Sequence, residues 1–391
     1  MDKFNISPIP ELIFGPGTLA KLPDQIEKNN YKSIVIITGG NSFISSSAWG
    51  VLKQSLNSSG IKFIHYKSSG ETSPETVDNI ITDLQSTAVD AVIAIGGGTV
   101  MDTGKAVSAM LCMPGSIVDY LEGVGTKESS GRRKSLVCIP TTSGTGSEAT
   151  KNAVITKIGK GGFKKSLRHK AYIPDTVIID PELIVTCPKD ISLATGMDAV
   201  TQLLESYVST QSNPFTDMSS FHGLQLAGKS LPLIAEDGSN IEARSQMAYA
   251  AYLSGISLAN AGLGVIHGAA SVLGSIRAIP HGVVCGTLLG TATERIISKL
   301  KEEDLSSKYL LKFAKAGTAL TGINLESTVK NIDLLVKTLK NWVAVFNIPK
   351  FSEYGFTENE MEYAARKIGL KNTPVKLTYE DIYSALISRL Y

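Results

Sequence analysis

The first 180 or so residues alternate short β-branched, apolar runs with segments of helical period, and this alternation leaves few architectures open. Strands are expected at Ser33–Thr38, Ile61–Tyr66, Ala91–Ile95, Ser135–Ile139 and Thr176–Ile179, with amphipathic helices over Ser42–Asn57 and Pro74–Ser86. Strands separated by helices in this way build a parallel sheet covered on its faces, with ligands at the strands' carboxyl ends. After Asp180-Pro181 the period turns helical, and Asn213-Pro214 reads as a helix start with proline in the first turn. The expected class is α/β plus all-α: a doubly wound parallel sheet over residues 1–182, then an all-helical domain over 183–391. A chain of 391 residues exceeds one ordinary core, which agrees with two domains.

Charge and cysteine usage remove several classes of function. Net charge is only +2, and the basic runs Gly131-Arg132-Arg133-Lys134 and Phe163-Lys164-Lys165 read as solvated loops without interleaved aromatics, so no nucleic-acid partner is expected. Cys112, Cys138, Cys187 and Cys285 are far apart and form no CxxC pair, which fits a reducing cytoplasm and no disulfide framework. Ser245 to Ile276 holds no Asp, Glu, Lys or Arg, but its Ala, Gly and Ser content reads as buried helices rather than a membrane span. No apolar signal segment follows Met1-Asp2-Lys3-Phe4-Asn5, so the expected setting is cytoplasmic and the expected partner a small molecule.

Two loops at strand ends carry the first chemical signal. Ala91–Ile95 runs into Gly96-Gly97-Gly98-Thr99-Val100-Met101-Asp102, where glycines let the backbone approach a ligand and a helix start offers free N–H groups to a pyrophosphate. The bland reading is a tight turn with Thr99 and Asp102 as a capping box. Ser135–Ile139 feeds Pro140-Thr141-Thr142-Ser143-Gly144-Thr145-Gly146-Ser147-Glu148-Ala149-Thr150, whose hydroxyls suit phosphates and riboses. Two such loops favour a nucleotide site, with Gly96, Gly97, Gly98, Thr99, Asp102, Thr141, Thr142, Ser143 and Thr145 as the contacting residues.

A second signal lies beyond residue 190. Asp198 falls where a helix start is expected, with Thr195 as its capping partner, while His267 and His281 stand fourteen residues apart in a nearly uncharged segment. Spacing alone favours a cap and satisfied core histidines over a metal site, because no HxxxH pair is present.

Taken together, residues 96–106, 140–150, Ala194-Thr195-Gly196-Met197-Asp198-Ala199, Asn213-Pro214-Phe215-Thr216-Asp217, Pro280-His281-Gly282-Val283 and Phe14-Gly15-Pro16-Gly17 resemble, in order, the iron-containing (group III) alcohol dehydrogenases. The resemblance implies a dinucleotide-binding domain, a helical domain and an active site between them. It implies one divalent metal, iron or zinc, with Asp198, His267 and His281 as ligands. The family's second ligand falls on Gln202, a neutral amide one helical turn from Asp198. A further family histidine, near the nicotinamide, falls on Ser271. Related glycerol dehydrogenases hold metal with an aspartate and two histidines, whereas related maleylacetate reductases act without one.

The resemblance also bears on cofactor and substrate. NAD-preferring relatives carry an aspartate after the first strand, but here Thr38 is followed by Gly39-Gly40-Asn41-Ser42, so NADP(H) is favoured over NAD(H). Gly39 and Asn41 join the expected cofactor residues. The expected reaction is hydride transfer between the nicotinamide and a small, acidic aldehyde or ketone, with His267, His281 and Ser271 serving catalysis and the proton. Lys151 and Arg277 are candidate partners for a substrate anion, a salt bridge to an acid elsewhere in the chain being the simpler fate of Arg277. A homodimer is implied by the resemblance alone. The alternatives are a metal-free reductase of the maleylacetate reductase type, a lyase like dehydroquinate synthase, and a non-catalytic nucleotide binder.

Overall fold

The computed structural model describes residues 3–159 and 161–391. Its sheet comprises β1 (Glu11–Phe14), β2 (Ser33–Thr38), β3 (Lys62–Lys67), β4 (Ala91–Gly96), β5 (Ser135–Pro140) and, after a hairpin of β6 (Asn152–Lys157) and β7 (Phe163–Arg168), β8 (Thr176–Ile179). The six sheet strands lie in the order β1-β8-β5-β4-β2-β3, and every pairing is parallel. Alternation within the strands divides the burial between two cores. Val35, Ile37, Val92 and Ala94 face one side, and Ile34, Ile36, Ile93 and Ile95 the other. The helix Gly98–Met110 covers the first side with Val100, Met101 and Val107, while Ser47–Ser58 covers the second with Trp49, Leu52 and Leu56. This is the doubly wound arrangement expected from the sequence.

Chain order reverses between the neighbours β2 and β4, the position at which such sheets open a crevice. Gly96 stands level with Pro140, and Thr38 with Ile95, so the loops after β2, β4 and β5 emerge side by side.

Among the described residues no strand follows Ile179; the rest is helical, and one contiguous core runs from the sheet into it. Asn213 caps the helix Pro214–Glu236 through Phe215 and Thr216, in a capping box closed by Thr216, with Pro214 in the first turn as expected. The uncharged stretch forms two buried helices, Ile241–Ala261 and Val265–Ile276, bent by 99° at Gly262-Leu263-Gly264. Among the described residues no single helix is long and apolar enough to cross a membrane.

Three expectations need correction. The helix after β2 begins at Ser47 rather than Ser42, the intervening residues being loop. Phe163-Lys164-Lys165 is not a loop but part of β7, antiparallel to β6. Asp198 and Thr195 are not at a helix start: both lie inside Lys189–Tyr207, and Thr195 Oγ1 donates to the carbonyls of Ile191 and Ser192.

Candidate dinucleotide and metal site

The loops after β4 and β5 touch. A Cβ on Gly98 would lie 2.6 Å from Thr145 Cγ2, and one on Gly97 would lie 3.4 Å from Thr142 Oγ1. Backbone here must therefore stay bare, which leaves the N-terminal amides of Gly98–Met110 open for an anion. That helix is capped by Gly97 without any side chain, so the Thr99–Asp102 capping box does not form. Thr99 Oγ1 instead donates to the Gly70 carbonyl at 2.8 Å. Ser143 Oγ is buried without a partner, as a hydroxyl reserved for a ligand would be.

Asp102, expected at the cofactor, is turned inward. It accepts from Ser147 Oγ at 2.5 Å and lies 3.3 Å from Lys105 Nζ. Burial raises its pKa above the usual carboxylate range, against the pull of Lys105 and the Ser147 hydrogen bond. Lys105, almost wholly buried, donates to Ser147 O at 2.8 Å, Ser147 Oγ at 2.7 Å, Thr150 Oγ1 at 2.9 Å and Asn152 O at 2.5 Å. Two of the loop's hydroxyls thus fasten the second loop to the first helix.

The same loop reaches the helical half. A Cβ on Gly144 would lie 2.5 Å from Thr195 Cβ, and one on Gly146, at φ +58°, 2.5 Å from the Gly255 nitrogen. Thr195 stands one turn before Asp198, so the loop after β5 abuts the helix that carries the second cluster.

Four helix-borne groups converge there. Asp198 lies mid-helix, His267 in the first turn of Val265–Ile276, and His281 at the first residue of His281–Glu303 with Cys285 one turn on. Asp198 Oδ1 is 3.4 Å from His267 Nε2 and 3.7 Å from His281 Nε2. Cys285 Sγ is 3.7 Å from His267 Nε2 and 3.8 Å from His281 Nε2, and all four donor atoms lie within 4.8 Å of one another. Both Asp198 oxygens are buried with no hydrogen-bond partner. Buried carboxylates are ordinarily satisfied, so an orphaned one facing two imidazoles fits a cation between them. Ligands about 2.0–2.1 Å from one ion stand about 3.3 Å apart in a tetrahedron, close to the spacing seen.

Glu205, two turns after Asp198 on the same helix, orients the site. It accepts from the free N–H groups of Gly264 at 2.9 Å and Ile266 at 2.7 Å, and meets His267 Nδ1 at 2.7 Å. One carboxylate thereby caps the helix and turns His267 Nε2 toward the cluster. Burial opposes charge on Glu205, but His267 and the two amides hold its pKa below the usual range. Burial likewise opposes charge on Asp198, yet His281 and His267 bring it down to about 2. Burial also works against an imidazolium at His267, but the electrostatic pull of Cys285 and side-chain hydrogen bonding with Asp198, Cys285 and Glu205 outweigh it, raising its pKa well above 6.5. His281 goes the other way: burial, against the attraction of Asp198 and with the repulsion of Lys164 and His267, pushes it down to about 4.

Both fold modules carry the matching family profiles: iron-containing alcohol dehydrogenase over residues 10–181 and the Fe-containing alcohol dehydrogenase C-terminal region over 192–391. The chain belongs to the iron-containing alcohol dehydrogenase family. It is similar to alcohol dehydrogenase 4 of Saccharomyces cerevisiae, 31% identical over 99% of this chain and 98% of that one. It is also similar to the NAD-dependent methanol dehydrogenase of Bacillus methanolicus, 28% identical over 95% and 96% of the two chains. Among solved structures, an alcohol dehydrogenase from Oenococcus oeni superposes with a TM-score of 0.85 at 28% identity, covering 99% of this chain and 100% of that one. A 1,3-propanediol oxidoreductase superposes at 0.88 with 24% identity over both whole chains, a likeness of fold. As an iron-containing alcohol dehydrogenase the chain is an oxidoreductase, and the metal-free reductase, lyase and non-catalytic alternatives are not favoured.

The remaining expected site residues separate. Gln202 Oε1 accepts from Ser254 Oγ at 2.6 Å, so this amide already has a protein partner. Ser271 Oγ donates to the His267 carbonyl at 2.9 Å, one turn along the same face. Arg277 is paired within the protein: its Nε donates to both Glu360 oxygens at 3.0 and 3.1 Å, and its guanidinium lies over the Phe356 ring. Lys151 Nζ meets Ser7 Oγ at 3.3 Å. One cation whose charge reaches the cluster, at His281, is Lys164, whose Nζ donates to Glu71 Oε2 at 2.8 Å. Sequence reasoning missed Lys164, Glu205 and Cys285. The last two were accessible as same-face neighbours, seven residues after Asp198 and four after His281.

Proposed function

We propose that the chain interconverts a small aldehyde or ketone and its alcohol with a nicotinamide dinucleotide, on one divalent metal held by Asp198, His267 and His281. The observation that carries this reading is the orphaned Asp198 carboxylate facing two imidazoles, beneath a pair of ligand-ready glycine and hydroxyl loops. Gly96, Gly97, Gly98 and Thr99 would hold the pyrophosphate, and Thr141, Thr142, Ser143 and Thr145 on the loop after β5 would supply hydroxyls to the same dinucleotide. A bound ion supplies Lewis acidity at the substrate oxygen and stabilises alkoxide, while the dinucleotide carries the hydride. Glu205 fixes the His267 ring, and Ser271 Oγ would relay a proton, passing its own to the alkoxide while taking one from solvent water. Steady-state oxidation of reduced dinucleotide by a panel of C2–C4 aldehydes tests the reading. It predicts turnover that falls about 10²–10³-fold in Asp198→Ala, the scale of a lost electrostatic stabiliser.

We further propose NADP(H) as the preferred cofactor. The β2–helix loop offers Gly39, Gly40, Asn41 and Ser42 and no carboxylate to repel a 2′-phosphate. Asn41→Asp is expected to shift the NAD/NADP preference at least about tenfold toward NAD, about 1.4 kcal/mol; an unchanged ratio removes this assignment. Arg277 is spent on Glu360, so of the two expected substrate cations Lys151 carries the acidic-substrate reading, with Lys164 joining it if Glu71 yields to a substrate anion. The division of the chain at residue 182, the cytoplasmic setting and the homodimer belong to the same reading, which four free cysteines and the family likeness support.

A further inference from the structure

We infer that Cys285 is the fourth metal donor, a thiolate standing in for the imidazole that Gln202 lacks. This inference rests on the metal reading above and adds to it a ligand of a different chemical class. His281 and Cys285 are one turn apart on His281–Glu303, so the helix presents imidazole and sulfur to the same point. The sulfur is 3.7 Å from His267 Nε2 and 3.8 Å from His281 Nε2, so it sits almost equally between the two imidazole nitrogens that face Asp198. An ion with nitrogen at about 2.0–2.1 Å and sulfur at about 2.3 Å sets tetrahedral nitrogen–sulfur edges of about 3.5 Å. The four donor atoms therefore already lie near the corners such an ion requires. Cys285 is fully buried, and both oxygens of Asp198 face the cluster without partners.

Gln202 is the competing fourth donor, and its carbonyl oxygen is engaged by Ser254 Oγ at 2.6 Å. Amide oxygen is also the weaker donor to zinc or iron(II), and a thiolate favours the softer ion. Binding exchanges one proton for one bond: the thiol S–H breaks, its proton leaves to solvent, and a sulfur–metal bond forms without any change in oxidation state. The resulting Asp-His-His-Cys set carries two negative charges against a divalent ion and selects zinc over iron(II).

Cobalt(II) substitution of the full-length protein tests this directly, because thiolate-to-cobalt charge transfer absorbs in the near ultraviolet and oxygen or nitrogen ligands give no such band. One cobalt per chain is expected with that band, retained in Gln202→Ala and lost in Cys285→Ser. The Cys285→Ser protein is expected to bind zinc more weakly by over 100-fold, beyond the 10–100-fold typical of a lost outer partner. X-ray absorption of the unmutated zinc protein gives a second readout independent of variant folding, with a sulfur scatterer at about 2.3 Å. One Asp198-dependent cobalt or zinc per chain without sulfur in either spectrum overturns the inference and leaves the metal reading standing. Failure to bind cobalt or zinc at all overturns both.

Discussion

Lys105→Met is the most demanding test of how the loops after β4 and β5 are held together. The ammonium's three N–H groups are shared among four acceptors, Ser147 O, Ser147 Oγ, Thr150 Oγ1 and Asn152 O, and it balances Asp102 at 3.3 Å. Methionine retains the packing volume but leaves two carbonyls and a buried carboxylate without their cation. Removing one partner of a buried pair costs about 3–5 kcal/mol, mostly because the survivor stays buried and uncompensated. For a domain of this size that corresponds to a fall in Tm of about 6–20 °C. Calorimetry on Lys105→Met, Asp102→Asn and the double variant measures it, with the double variant expected to recover about 1–3 kcal/mol of the loss. Dinucleotide affinity should fall as well, since the same contacts hold Ser147 and Thr150 beside the loop. A Lys105→Met protein within about 1 kcal/mol of the unmutated one, or a double variant as unstable as the sum of the singles, refutes the account of Lys105.

Glu205→Gln should weaken zinc binding by about 10–100-fold while keeping one site per chain, measured by chelator competition. Gly98→Ala, whose Cβ would meet Thr145 at 2.6 Å, should raise the dinucleotide Kd at least about tenfold, or about 1.4 kcal/mol, by fluorescence titration. Glu148 makes stability pH-dependent: burial raises its pKa to about 7 from 4.5, against its own backbone amide and Lys105. Between those values the unfolded chain releases a proton that the folded one keeps, so this contribution is fully present below about pH 4.5. It is lost as pH rises through about 7, amounting to a few kcal/mol. Glu148→Gln should therefore flatten the Tm profile from pH 5 to 8 and be the more stable protein at pH 8.

The sheet was legible because its central strands are continuous apolar runs, and β2 and β8 fall on their expected residues. β1 was not, because Glu11–Phe14 is a four-residue edge strand defined by its pairing with β8 and only partly buried. The β6–β7 hairpin escaped because Lys164 and Lys165 look like solvent-facing residues, whereas Lys164 buries its ammonium against Glu71 beside Gly274. At the site, Asp198, His267 and His281 were named through family likeness. Spacing alone placed Asp198 in a cap, since Thr-x-x-Asp is the same pattern inside a helix and at its start. Arg277 and Asp102 show the converse: a charge in an apolar stretch, or next to a glycine loop, signals a partner without naming it. Here the partners are Glu360 and Lys105.

The central claim is that the cluster at Asp198 and the loops at Gly96 and Thr141 form one hydride-transfer site. Its most direct measurement follows reduced dinucleotide and product together, with zinc-loaded enzyme and a small aldehyde. Equimolar loss of dinucleotide and gain of alcohol, abolished in Asp198→Ala although that variant still binds dinucleotide, is the predicted result. Undiminished turnover in Asp198→Ala, or tight dinucleotide binding with no alcohol formed from any aldehyde or ketone tried, contradicts it.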